Sequence, residues 1–324
     1  MRKSITAHVE RWPVDGEFII SRGSKHYVDV VVCEISENGH IGRGEATPIY
    51  YRGENAENCA ATINLFAKTV TDINRNSLQT DMPEGAARNA VDCALWDLET
   101  KLTDRTLESI AGLPAPRPLT TAFTISLNDP AKMEADAKLA SRTYPLLKLK
   151  LAGEDDHERV AAVHRGAPDA RLIVDANESW NNLNIAAEAE TLSQWGVELI
   201  EQPVSAGRDE LLKDIDSPVP FCADESCHIS KDVARIAPYY DAINIKLDKS
   251  GGLTEALKLV DLAEKFELKI MVGCMLSTSL AIRPAFALAL RANWVDLDGP
   301  LLLEQDRIDG FHFENGIIMP RDSV

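Results

Sequence analysis

Leu147-Lys148-Leu149-Lys150-Leu151, Leu172-Ile173-Val174-Asp175, Glu198-Leu199-Ile200-Glu201, Pro220-Phe221-Cys222-Ala223 and Ala242-Ile243-Asn244-Ile245-Lys246 are short apolar runs, each with a charged residue at or beside its end: Lys150, Asp175, Glu201, Asp224 and Lys246. Runs of four to eight residues rich in Val, Ile and Leu read as strands buried on both faces. Working outward, Thr121–Leu127, Lys269–Gly273 and Trp294–Leu297 continue the series, and helical segments fill the intervals. Eight strands alternating with helices predict a closed parallel (β/α)8 barrel rather than an open sheet. No helix in the series opens on Gly-x-Gly-x-x-Gly or a phosphate-loop lysine, so a dinucleotide fold finds no support.

The first 115 residues have another rhythm. Val28–Ile35 reads as a strand, Glu37-Asn38-Gly39-His40 as a hairpin turn, and Ile41–Glu45 as its partner. After Pro83-Glu84-Gly85, the apolar residues Ala87, Ala90, Val91, Ala94, Leu95, Leu98 and Leu102 fall at helical spacing. Strands followed by helices predict an α+β domain over 1–115. The barrel is expected over 116–300, and 301–324, which lacks the pattern, is expected to pack back on the first domain. The fold class is thus α/β: a modified (β/α)8 barrel with an added α+β domain.

Composition narrows the partners. A formal net charge of −17 argues against nucleic acid and anionic membranes. No window reaches the roughly 18 apolar residues of a membrane span, and the N-terminus lacks the apolar run of a secretory signal. A cytoplasmic protein acting on a small molecule is expected, with a homo-oligomer left open. The six cysteines lack paired-ligand spacing and read as buried free thiols.

Lys150, Asp175, Glu201, Asp224, Lys246 and Asp298 follow one another at 25, 26, 23, 22 and 52 residues, the last interval being two units. One βα unit has about this length, and the C-terminal ends of barrel strands meet at one rim. A single charged strand end is usually a solvated loop residue; six in register with the repeat predict one pocket. Side chains at i and i+2 share a strand face, which pairs Lys148 with Lys150, Asp175 with Asn177, Lys246 with Asp248 and Asp296 with Asp298. Three carboxylates from successive strands suit a hard cation such as Mg²⁺. Lysines before and after them in barrel order would lie on opposite sides of the metal, a two-base arrangement for moving a proton α to a carboxylate. Lys148 is expected to lower the pKa of Lys150 by like-charge repulsion.

Leu147–Lys150, Val174-Asp175-Ala176-Asn177-Glu178-Ser179-Trp180, Leu199–Pro203, Ala223–Ser226 and Asn244–Gly252 resemble the muconate-lactonizing subgroup of the enolase superfamily across essentially the whole chain. The resemblance implies that Asp175, Glu201 and Asp224 bind Mg²⁺, that Lys150 and Lys246 are the acid/base pair, and that the α+β domain caps the barrel with specificity loops. The subgroup also contains cycloisomerases, o-succinylbenzoate synthases and N-acylamino-acid racemases. Val295–Pro300 looks like the Asp-x-Asp of dipeptide epimerases, so Asp296 and Asp298 are expected to hold a substrate α-ammonium. Phe18–Lys25 resembles the capping loop of the Ala-Glu epimerases, which implies that Arg22 meets a glutamate side chain. Thr124 is a further expected substrate contact. The expected reaction is epimerisation of L-Ala-D-Glu to L-Ala-L-Glu in peptidoglycan recycling. Its rivals are another dipeptide, o-succinylbenzoate synthesis, or a silent metal- or peptide-binding protein. The run Gly273–Ser279 lacks the acid that some relatives carry after Leu276.

Overall fold

The structure is a computed structural model that describes residues 3–20, 23–70 and 72–320. Its N-terminal part is a three-stranded antiparallel sheet of Ser4–Ile20, Gly23–Glu37 and His40–Ala46, packed against helices Ala56–Thr69, Arg75–Asp81 and Ala86–Thr103. Asn38 and Gly39 both take positive φ, 52° and 83°, which is what a two-residue hairpin turn requires.

The middle strand is buried on both faces, and its alternation says why. Val31, Cys33 and Ile35 enter a core with Ala90, Val91, Ala94 and Leu98 of the long helix. Val28, Val30 and Val32 point the other way, onto Leu276, Leu280 and Leu303 of the barrel side. The sheet is therefore the filling between the capping helices and the barrel. The long helix lies so close that a Cβ on Gly44 would come within 2.2 Å of Ala90 O.

The barrel strands are Phe123–Ile125, Leu146–Lys150, Arg171–Asp175, Val197–Glu201, Phe221–Ala223, Ala242–Ile245, Lys269–Gly273 and Trp294–Asp296, parallel and in sequential order. The ring closes where Ala122 N donates to Val295 O at 2.8 Å and Leu297 N to Thr121 Oγ1 at 2.8 Å. The first strand is shorter than its apolar run, and the sixth stops at Ile245 because a helical turn, Leu247–Ser250, begins at once.

Full helices follow the first three strands and the sixth and seventh. After the fourth comes the 3-10 turn Asp209–Leu212, after the fifth the 3-10 turn Ser230–Asp232 and the short helix Val233–Ile236, and after the eighth the 3-10 turn Gly299–Leu302. The chain then returns to the first domain: Leu303 bridges Val14, and Arg307 Nη2 reaches Glu10 Oε2 at 2.6 Å and Glu45 Oε2 at 2.7 Å. Phe313–Glu314 and Ile317–Ile318 finally form a small sheet with Leu119–Thr120. Among the described residues no helix is long and apolar enough to cross a membrane.

Candidate active site

The barrel interior is layered, and the period of two builds the site. Its floor is one apolar residue from each strand: Ala122, Leu146, Ile173, Leu199, Cys222, Ala242, Met271 and Trp294. Two residues on, the same inward face carries Thr124, Lys148, Asp175, Glu201, Asp224, Asn244, Gly273 and Asp296. One step higher stand Lys150, Lys246 and Asp298. An apolar plug beneath a charged layer excludes water from one side and strengthens every charge interaction above it.

Each carboxylate in the charged layer has a lysine. Lys150 Nζ lies 2.6 Å from Asp175 Oδ2, and Lys246 Nζ 2.6 Å from Asp224 Oδ2. Lys148 Nζ is shared by Glu201 Oε2 at 2.6 Å, Asp296 Oδ2 at 2.7 Å and Asp175 Oδ2 at 3.4 Å. Burial alone would raise the pKa of Asp175, but the charges of Lys150, Lys148 and Lys246 outweigh it and hold the group at about 2. Burial and the charge of Asp175 push Glu201 up to about 7. Burial lowers Lys246, yet the charges of Asp224 and Glu201 prevail and its ammonium form is favoured.

Asp298 differs from these. It is buried, its Oδ2 accepts from Thr124 N at 2.8 Å, and among the described residues no cation pairs with it. Burial and the neighbouring charge of Asp296 raise it to about 7. It is a buried carboxylate short of a cation among the described residues, one step above the charged layer.

Among the described residues no three His, Cys, Asp or Glu side chains stand in a geometry that already holds a metal ion. The donor set nonetheless fits one. Glu201 Oε2 and Asp224 Oδ1 are buried beside lysine nitrogens yet lack hydrogen-bond geometry, which leaves hard oxygen lone pairs unsatisfied at the centre of the layer.

Two expected same-face pairs do not form. The third strand ends at Asp175, and Asn177 and Glu178 take φ of 44° and 66°, so Asn177 instead donates its N–H to Asp175 Oδ1 at 3.0 Å. Asp248 lies in the helical turn after Lys246 and faces the capping domain, where its Oδ1 accepts from Thr47 N and Asn89 Nδ2, both at 2.9 Å. Period two holds only while the backbone stays extended.

Three residues escaped sequence reasoning as site components. Asn244 donates to Glu201 Oε1 at 2.6 Å, and its place two residues before Lys246 was the available signal. Lys249 Nζ lies 2.6 Å from Asp224 Oδ1 and also donates to Asp224 O and Asn244 O. Gln202 Oε1 accepts from Asp224 N and Ser226 N, fixing the fifth strand's end. The seventh-strand run without an acid receives one from elsewhere: Glu45 of the capping sheet accepts from Thr278 N at 2.7 Å and from the Thr278 hydroxyl.

Arg22 lies outside the described residues. The preceding strand is tied to the end of the first barrel strand, Ile19 N donating to Ser126 Oγ at 3.3 Å and Leu127 N to Ile19 O at 3.1 Å.

A barrel of this kind, with lysines on either side of a carboxylate cluster under an α+β cap, is the architecture of an enzyme that moves protons next to a carboxylate. Residues 2–112 match the mandelate racemase / muconate lactonizing enzyme N-terminal domain, and residues 131–323 match the enolase C-terminal domain-like family. The chain belongs to the mandelate racemase / muconate lactonizing branch of the enolase superfamily. It is 40% identical over 316 residues to an L-Ala-D/L-Glu epimerase of Escherichia coli, spanning 97% of this chain and 98% of that one. A crystal structure of an enolase family member from Agrobacterium tumefaciens with homology to dipeptide epimerases, holding sodium and L-Ala-L-Glu, superposes with a TM-score of 0.95 at 46% identity, covering 99% and 98% of the two chains. A dipeptide epimerase from Cytophaga hutchinsonii, complexed with Mg and D-Ala-L-Val, gives 0.92 at 27% identity over 99% and 94%.

Proposed function

We propose that this enzyme epimerises the C-terminal residue of a dipeptide in a Mg²⁺-dependent reaction, with L-Ala-D/L-Glu as substrate. The observation that carries the reading is the pair Lys150 and Lys246, one at the end of the second strand and one just past the sixth, both buried and ion-paired to Asp175 and Asp224 of the carboxylate cluster one step below. Those three carboxylates would hold the ion. When bound, it draws charge from the substrate carboxylate and so acidifies the α-proton. One lysine takes that proton and the other returns one to the opposite face, which inverts the centre. Lys148 balances Glu201 and Asp296 beneath them. Asp298 receives the ammonium of the N-terminal residue, with Thr124 N fixing its carboxylate. Arg22 meets the glutamate side chain. The same specificity suits peptidoglycan recycling in the cytoplasm.

The test is solvent exchange in D₂O on L-Ala-D-Glu and L-Ala-L-Glu separately. Wild type should exchange both epimers and stop in excess chelator. Lys150→Ala and Lys246→Ala should each abolish epimerisation and retain exchange of opposite epimers. Activity that survives complete chelation, or two variants that retain the same epimer, would refute the reading.

A further inference from the structure

The segment Lys246-Leu247-Asp248-Lys249-Ser250-Gly251-Gly252 is a junction. On the barrel side it begins at a catalytic lysine of the proposed mechanism, and Lys249 reaches back to Asp224. The carboxylate of Asp248 and the carbonyls of Ser250 and Gly251 are met instead by the capping helix Ala86–Thr103 and the loop at Thr47. Arg88 Nη2 donates to Ser250 O at 2.7 Å and Arg88 Nε to Gly251 O at 3.1 Å. Asn89 Nδ2 and Thr47 N both donate to Asp248 Oδ1. Asp92 Oδ2 accepts from Thr254 N at 2.9 Å and so caps helix Leu253–Lys265, whose own N-cap residue, Gly252, has no side chain to do it. Trp96 Nε1 donates to Thr254 Oγ1 at 3.0 Å.

Residues 88, 89, 92 and 96 form one stripe of a helix, so a single face of the cap reads the whole turn. Arg88 is buried, and its guanidinium is used on carbonyls, with no carboxylate within ion-pair distance among the described residues. The fit is close. A Cβ at Gly251 would lie 2.4 Å from Arg88 Nε and one at Gly252 2.4 Å from Asp92 Cβ, and both glycines hold positive φ. The connection to the base is direct: Lys246 O accepts from Ser250 N at 3.1 Å, and Ser250 O accepts from Arg88.

We infer that Arg88 and Asn89 are positioning residues for Lys246, and that the capping domain sets the geometry of one of the two bases as well as covering the substrate. The inference rests on the two-base reading above. Lys150 stands on the opposite side of the ring and among the described residues has no such link to the cap, so the two bases respond differently to the same change. Displacement of a reacting group by about 1 Å can cost on the order of a hundredfold.

The experiment is epimer-resolved exchange in D₂O with Arg88→Met and Asn89→Ala. It uses Lys246→Ala as reference and Asn64→Ala as a control, since Asn64 bonds Ala7 N and O within the cap, away from the turn. Both test variants should lose at least tenfold in exchange of the epimer that Lys246→Ala loses. The other epimer and KM should stay within threefold, and Asn64→Ala should show no bias. Equal loss for both epimers, which is what a merely loosened cap would give, or no loss in a folded variant, overturns the inference. If Arg88→Met does not fold, Arg88→Lys retains the buried charge without the fork and should show the same bias, at threefold or more. A Lys246→Ala enzyme with no epimer preference would overturn the two-base reading, and this inference with it, before any cap variant is made.

Discussion

Asp298→Asn separates charge recognition from the rest of the site. In the free protein the Asp298 carboxyl sits at about 7 against an ordinary 3.8, so ionisation is opposed by about 3 units. At about 1.36 kcal/mol per unit this is on the order of 4 kcal/mol, which a correctly placed cation can recover in part. On the proposed reading the N-terminal ammonium of a dipeptide is that cation. Asparagine keeps the oxygen that accepts from Thr124 N and loses only the charge, so the variant should fold like wild type. Removing one member of a buried charge pair costs about 2–5 kcal/mol. We therefore expect kcat/KM for L-Ala-D-Glu to fall about 30- to 5000-fold, while N-acetyl-D-glutamate, which has no ammonium, changes by less than about threefold. The pH profile gives a second check. In wild type the dipeptide reaction should lose efficiency as pH drops below about 7, where Asp298 takes up a proton, and in Asp298→Asn that limb should be shallower, since only the contribution of Asp298 is removed. Equal losses on both substrates, or an unchanged acid limb, would refute the assignment.

Arg22→Met should damage Ala-Glu selectively, leaving dipeptides with apolar C-terminal residues less affected; a substrate panel that retains the wild-type preference for Ala-Glu over Ala-Leu would refute that role. Arg307→Met leaves the fully buried Glu45 without its cation and should destabilise the protein by on the order of 3–5 kcal/mol. Burial already raises Glu45, so its folded form binds a proton more tightly than the unfolded chain. The gap between variant and wild type should therefore be widest at neutral pH and above, and narrow as pH falls toward the ordinary carboxylate range. Thermal unfolding across pH tests this, and Glu45→Gln in the Arg307→Met background should restore most of the loss.

The eight strand runs, the hairpin at Asn38-Gly39 and the chain positions of Lys150, Asp175, Glu201, Asp224 and Lys246 were all legible in the linear sequence. The reason is that a repeating unit of constant length projects its strand ends onto one rim, and period two then decides which side chains share a face. That rule also put Lys148 on the same face as Lys150 and Asp296 on the same face as Asp298. It failed where the backbone leaves the extended region, at Asn177 and Asp248, because a positive φ or a helical turn redirects the side chain and neither has a signature in spacing. Arg88, Asn89, Glu45 and Arg307 were invisible for another reason. Their partners lie 162, 159, 233 and 262 residues away, and such contacts arise only when the cap is packed on the barrel. Within each strand and helix, then, local patterning determined which groups the enzyme carries. How those groups are paired, which carboxylate is left without a cation and which base is tied to the cap were decided by tertiary packing, since burial and charge pairing depend on neighbours that the chain brings together only on folding.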